Sequence, residues 1–162
     1  MSAPTPNSPG EPAWLHVHVH EPNPAPPTAD TMIVLARPDG TVAAITPDDL
    51  VHLPQQRATN CYIVSTGHGT SGPFDFEGVT LGDLLAAYGI EQWHYADVIS
   101  ADNFGTRVHH EEATPTARPI LLALACNGVL LTRAQGLVRL IVPTERDDAL
   151  RQVKWVARIE VQ

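Results

Sequence analysis

The sequence contains few of the residues that mark several common classes of protein. It has 162 residues but only two cysteines, Cys61 and Cys126, and one lysine, Lys154. Two cysteines far apart in sequence fit the reducing cytoplasm better than a disulfide framework. Ten Lys and Arg residues against eighteen Asp and Glu give a formal net charge of −8. With no basic cluster, this charge argues against a nucleic acid partner and leaves room for a small anionic ligand.

Long apolar runs are also missing. The longest, residues 120–126, has the length of a buried strand and is far short of the roughly 20 residues that span a membrane. The segment before Arg37 contains no Lys or Arg and no continuous apolar stretch, so we expect no signal peptide. We therefore expect a cytoplasmic protein with no membrane partner.

Proline divides the chain into two parts. Eight of the 15 prolines lie within residues 1–30, and such a segment can neither form a helix nor bury much apolar surface. We predict a disordered arm over residues 1–30 and one folded domain over residues 31–162.

The folded part contains two hairpin signals. Apolar runs at 32–36 and 41–46 flank a turn that contains Pro38 and Gly40. Asn127-Gly128 separates two more apolar runs and is a strong hairpin signal. Further strands are predicted over residues 58–66, 95–100, 137–142 and 153–161.

Two short helices are predicted after the capping residues Thr46 and Thr80. A glycine-rich loop is predicted over residues 67–73. It matches a dinucleotide-binding pattern, but Pro73 follows and no helix opens there, so that interpretation fails. With many strands, two helices and no βαβ alternation, the domain is predicted to be α+β and mainly β.

Histidines offer two candidate metal sites. His16, His18 and His20 would project from one face of a strand, and three imidazoles there could bind zinc or copper. The alternative, which we favour, is a solvent-facing strand edge. His109 and His110 are adjacent, so in a strand they would point to opposite faces and a shared metal is disfavoured.

Two cations lie in apolar surroundings near the end of the chain. Arg139 interrupts the apolar run 136–143, and Lys154 interrupts the strand predicted over 153–161. A charge inside a buried strand needs a partner or a ligand. Pairing with carboxylates is one interpretation, and a joint site for a phosphate or an oxyanion is the other.

Five short segments occur in an order that characterises a known family. They are residues 78–81, 100–104, 127–128, 136–143 and 153–159. In this order they resemble the molybdopterin-binding domain of the sulfite oxidase family over residues 31–162. The resemblance implies a mixed α+β, mainly β fold with a molybdenum cofactor, molybdopterin, held in a cleft. In such enzymes the metal transfers an oxygen atom to or from a small oxyanion or an S- or N-oxide.

The resemblance also assigns residues to the cofactor. Arg139 and Lys154 match the positive residues near the pterin phosphate and the substrate oxyanion. Asp102 belongs to a loop of the type Asp-Gly-aromatic, in which Asn103 stands where the family has glycine. Thr66, Gly67 and His68 complete the candidate cofactor-binding set.

The main departure concerns the cysteine that ligates molybdenum in the family. Its place is held here by Thr66, and a hydroxyl is a hard, protonated donor that replaces a thiolate poorly. Cys61 lies five residues earlier, and because five is odd we expect it to face the other side of the sheet. Three acids, Glu145, Asp147 and Asp148, lie where a phosphate would need positive charge.

Two functional hypotheses follow. In the first, the chain is a molybdopterin-dependent oxidoreductase-like domain of the sulfite oxidase type, active or catalytically degenerate. In the second, it keeps the fold and is a non-enzymatic module that binds a small anion or a partner protein.

Overall fold

The computed structural model describes residues 31–65, 69–113, 119–132, 136–143 and 153–162. The predicted arm over residues 1–30, with its predicted strand segment and its histidines, lies outside them. Within the described residues there are ten strands, two α-helices and one 3₁₀ turn. The strands are β1 Ile33–Ala36, β2 Val42–Ile45, β3 Gln56–Ser65, β4 Gly69–Thr80, β5 Tyr95–Ser100, β6 Gly105–His109, β7 Leu121–Cys126, β8 Val129–Leu130, β9 Arg139–Ile141 and β10 Val156–Val161.

Both helices begin at the threonines that the sequence indicates. The first, α1 Pro47–Val51, has a complete capping box, because Thr46 Oγ accepts from the Asp49 N–H and the Asp49 carboxylate accepts from the Thr46 N–H. The second, α2 Leu81–Ala87, is capped by Thr80 Oγ, which accepts from the Asp83 N–H. The 3₁₀ turn covers His110–Ala113.

The strands form two sheets of five. In the first sheet the order is β2-β1-β10-β5-β6, and only the β1–β10 pair is parallel. In the second sheet the order is β3-β4-β7-β8, and β9 also pairs with β7. The sheets and helices confirm the α+β, sheet-dominated prediction.

The main core lies between the two sheets. It unites side chains of the first sheet, such as Leu35 and Ile159, with side chains of the second sheet, such as Leu122 and Leu140. The other face of the second sheet carries a smaller buried cluster that includes Cys61, Phe76 and Ala123. Strand β7 is therefore buried on both faces, which explains why its sequence is a continuous apolar run and does not alternate.

Two predictions about local structure are wrong. Residues 69–73 were expected in a glycine-rich loop, yet they belong to β4, because Thr70 and Ser71 pair with Val64 and Ile63 of β3. Lys154 was expected inside a strand, but β10 begins at Val156. The chain turns before that strand, since Trp155 adopts a left-handed conformation with φ of 50°.

Candidate anion-binding site

Arg139 is the first residue of β9 and pairs with Ala123 of β7. Its neighbours in sequence, Val138 and Leu140, are buried in the main core. The arginine itself is partly buried, and its Nε atom is out of contact with solvent. This loss of hydration lowers the pKa of Arg139 to about 10, so the guanidinium still carries its charge at neutral pH.

Lys154 lies in the turn before β10 and is also partly buried. Burial first, and the positive charge of Arg139 second, lower the pKa of Lys154 to about 8. The Nζ atom lies 4.6 Å from the centre of the Trp155 ring, within the range of a cation–π contact. The positive charges of Arg139 and Lys154 therefore repel each other in a partly buried region.

Gly136 brings the two cations together. Its carbonyl oxygen accepts from the Val138 N–H at 2.5 Å and from the Trp155 N–H at 3.0 Å, so it joins the start of β9 to the turn before β10. A Cβ at this position would lie 2.9 Å from Cγ of Arg139 and 3.3 Å from Cβ of Lys154. With φ of 110°, the position also favours glycine for its backbone conformation.

The loop after β5 supplies a negative charge to the site. Asp102 accepts hydrogen bonds from Ser100 Oγ and from the Phe104 N–H, and its charge opposes the lowering of the Lys154 pKa. The Ala101 N–H donates to the Trp155 carbonyl oxygen at 2.9 Å, which ties this loop to the lysine turn. Asp102 thus lies beside Lys154 as a counter-charge.

Asn103 keeps the geometry of this loop. Its φ is 71°, in the left-handed region that asparagine tolerates better than other non-glycine residues. Asparagine at this place is therefore compatible with the left-handed conformation of the loop.

Cys126 is a neighbour of Arg139 that sequence reasoning missed. Burial raises the pKa of its thiol, while the Arg139 charge acts in the opposite direction. The cysteine ends β7 and packs against the small cluster that contains Cys61. The only sequence signal was its place before Asn127-Gly128, and this signal does not reveal that β9 pairs with β7.

Cys61 belongs to the core of the second sheet. It is 1% exposed, and its thiol donates to the carbonyl oxygen of Ala58 at 3.4 Å. The pairing of β3 with β4 shifts register on both sides of Cys61, and Asn60 has φ of 54°. The expectation that Cys61 and position 66 face opposite sides presumes a regular strand, and β3 is not regular.

Three of the six predicted site residues come together in the structure. Asp102, Arg139 and Lys154 form this site, whereas Thr66, Gly67 and His68 lie outside the described residues, as do Glu145, Asp147 and Asp148. His109 contacts Tyr95 and His110 contacts Trp93, so the two adjacent rings have separate surroundings. Over the ranges that the structure describes, no group of three or more His, Cys, Asp or Glu side chains is arranged to hold a metal ion.

Comparison with known protein families shows which family the chain belongs to. The family described as the oxidoreductase molybdopterin binding domain matches residues 42–162. The chain belongs to this family. A search of curated proteins by sequence found no match.

A solved structure supports the fold of this molybdopterin-binding domain. The chain is similar to the sulfane dehydrogenase SoxCD from Paracoccus pantotrophus, with a TM-score of 0.66 and 22% identity over 83% of its length. It spans 39% of the SoxCD chain. At this identity the likeness establishes the fold alone. No helix within the described ranges is long and apolar enough to cross a membrane.

The donor set of the site fits the phosphate end of a molybdopterin. Arg139 and Lys154 offer N–H donors and positive charge in surroundings where water competes weakly. The described cysteines suit a metal less well, because the Cys61 thiol is occupied by backbone carbonyls and burial keeps Cys126 protonated. The fit is therefore to the anionic group of the cofactor.

Proposed function

We propose that this domain binds a molybdopterin-type cofactor and that Arg139 and Lys154 hold its phosphate. The observation that carries the proposal is the close placement of these two cations around Gly136. Like charges in a partly buried region destabilise one another, and an anion of two negative charges removes that cost. When bound, a molybdenum cofactor supplies oxygen-atom transfer of the sulfite oxidase type.

The residues of this chain have distinct tasks in this proposal. Arg139 presents a planar donor that is charged at neutral pH and suits a phosphate. Lys154 supplies a second charge, and the Asp102 carboxylate opposes the lowering of its pKa. Gly136 leaves both side chains close to the backbone, where a larger residue would separate them.

The experiment is purification from a host that makes the cofactor, followed by measurement of molybdenum and of released pterin per chain. We expect near-stoichiometric pterin in the natural chain. Arg139→Ala and Lys154→Ala should each reduce it by about tenfold or more, because each removes a charge-assisted contact. Arg158→Ala is the matched control, since Arg158 is an exposed arginine paired with Glu160 on the surface of the first sheet.

A second candidate function is a non-enzymatic module that binds a small oxyanion at the same cations. The observation that favours it is the threonine at position 66, where the family has its metal-ligating thiolate. For this second function we expect the chain to purify without pterin or molybdenum, and the apo protein to bind inorganic phosphate or molybdate in calorimetric titrations. If Arg139→Ala leaves both cofactor content and phosphate binding unchanged, both candidate functions are wrong.

We also propose that the protein works in the cytoplasm. The chain has only two cysteines, far apart in sequence, which is typical of proteins in a reducing compartment. Fractionation of cells that produce the chain, with thiol labelling before lysis, tests this location.

A further inference from the structure

A cavity lies beside α2, and neither Arg139 nor Lys154 lines it. Its volume is about 480 Å³, within the range of small-molecule sites. Its walls come from α2 and its cap, the segment after α2, the 3₁₀ turn, the residues just before β7 and the first residue of β3. None of the residues that line it belongs to the anion-binding site, so a ligand here would act independently. We call it the α2 cavity.

The inner wall of the α2 cavity is apolar and aromatic. Ile90, Trp93 and Ile120 line it and are 5%, 9% and 6% exposed. The Trp93 ring packs edge-on against His110, with ring centres 5.1 Å apart. The His110 N–H donates to the His94 carbonyl oxygen at 2.8 Å, which fixes the histidine backbone next to the tryptophan.

The charged residues at the α2 cavity are acidic. Asp83 and Glu91 line it, and both are exposed. The Asp83 N–H donates to Thr80 Oγ at 3.0 Å, and this hydrogen bond holds the backbone that carries the Asp83 carboxylate. No Lys or Arg is among the described residues that line the cavity. The field in the cavity therefore favours a cation.

The chemistry of the wall indicates which kind of cation. A hard metal ion needs several oxygen ligands around it, and the described residues contain no group of three or more candidate ligands. A tryptophan ring and two isoleucines instead suit a hydrocarbon body, and carboxylates in the same cavity suit an ammonium group.

We propose that the α2 cavity binds an organic ammonium ion with an apolar body. The body packs against Ile90, Trp93 and Ile120, and the ammonium group lies against the carboxylates of Asp83 and Glu91. This proposal does not depend on the cofactor, and the two can fail separately.

The test uses the purified chain and three probes that share a benzyl group. Benzylamine carries the cation, benzyl alcohol is its neutral counterpart, and phenylacetate reverses the charge. Binding is followed by calorimetry and by the indole N–H signal of Trp93 in ¹H–¹⁵N spectra, assigned with Trp93→Phe. We expect benzylamine to shift the Trp93 signal and to bind about fivefold or more tightly than benzyl alcohol, with phenylacetate weakest.

Variants distinguish the effect of the Asp83 and Glu91 carboxylates on binding from the effect of the overall negative charge of the protein. Glu91→Gln and Asp83→Asn should each weaken benzylamine by about threefold, the size expected for exposed charges. Glu111→Gln is the control, because Glu111 is an exposed acid on the neighbouring 3₁₀ turn that does not line the cavity. Equal binding of benzylamine and benzyl alcohol, or a Trp93 signal that benzylamine leaves in place, overturns the proposal. Should Asp83→Asn unfold the chain, Glu91→Gln alone decides, since Glu91 lies after α2 and outside its cap.

Discussion

Gly136 lies so close to Arg139 that a Cβ on the glycine would come within 2.9 Å of the arginine Cγ. This contact means that the identity of one small residue determines where a buried charge can lie. The same Cβ would approach Lys154, so the glycine controls both cations of the site.

Gly136→Ala should therefore damage the site and the fold together. We expect a loss of about 2 kcal/mol in the free energy of unfolding, from the left-handed backbone and the displaced arginine, with weaker phosphate binding. Gly40→Ala is the control. Gly40 has φ of 90° but nothing within 4 Å of its Cβ, so it should lose about 1 kcal/mol and leave phosphate binding unchanged. Urea unfolding and calorimetry measure both quantities.

Asp102→Asn should lower the pKa of Lys154 further below 8, because it removes the one negative charge that opposes the shift. The chain has a single lysine, so lysine-labelled protein gives one side-chain signal whose titration can be followed by NMR. Asp97→Asn, which removes an acid paired with Arg107 on the first sheet, should leave the midpoint in place. A Lys154 midpoint that does not move in Asp102→Asn would contradict the role of Asp102.

Lys154→Met should stabilise the protein without ligand while it weakens anion binding. The pKa of Lys154 falls from 10.5 to about 8 on folding, so between these pH values the unfolded chain binds more protons and stability rises with pH. At pH 7 the buried charge is present, and its removal should gain about 1 kcal/mol. Near pH 10 the lysine is neutral in the folded protein and the gain should shrink. Urea unfolding of both proteins across this range is the measurement, and a gain that is independent of pH would refute it.

Gly78→Ala should be among the most destabilising substitutions in the second sheet. A Cβ at Gly78 would lie 2.0 Å from the Leu122 carbonyl oxygen and 2.7 Å from the Ala123 Cα, so β4 and β7 could not pair there. We expect a loss of about 3 kcal/mol or more. Gly82→Ala, whose Cβ would find its nearest neighbour at 3.7 Å, should be tolerated. Thermal unfolding of the two variants makes the comparison.

Thr46→Ala should cost about 1 kcal/mol, because it removes the side chain that accepts from the Asp49 N–H at 3.1 Å. Thr46→Ser retains the hydroxyl and should behave like the natural protein. If alanine and serine have the same unfolding midpoint, the cap contributes nothing to stability.

Local signals predicted much of this fold. The turn around Gly40, the Asn127-Gly128 pair and the threonine caps act within a few residues, and the elements beside them are found where expected. Strand β4 was missed because its early residues, with Gly69, Gly72 and Pro73, have low intrinsic strand preference. It forms because two partners, β3 and β7, hold it on either side.

The site was predictable to a similar extent. Arg139 and Lys154 stand out as charges in apolar sequence, and family order placed Asp102 with them. The contact of Cys126 with this group depends on the pairing of β7 with β9, which no local pattern encodes. The irregular pairing at Cys61 could not be predicted from local sequence either, because the register shifts depend on how β3 pairs with β4.

Strand β10 occupies the centre of the first sheet, between β1 and β5. Strands β1 and β2 are neighbours in the sheet and can pair as soon as they are made, and the same holds for β5 and β6. The two pairs are joined only by β10, which lies between them. During synthesis from the amino terminus, β10 is the last of these strands to leave the ribosome. The edges of β1 and β5 that β10 covers therefore stay unpaired with it until residues 156–161 have been made. Lys154 leaves the ribosome at nearly the same time. The first sheet and the charged site can therefore be completed only together, at the end of synthesis.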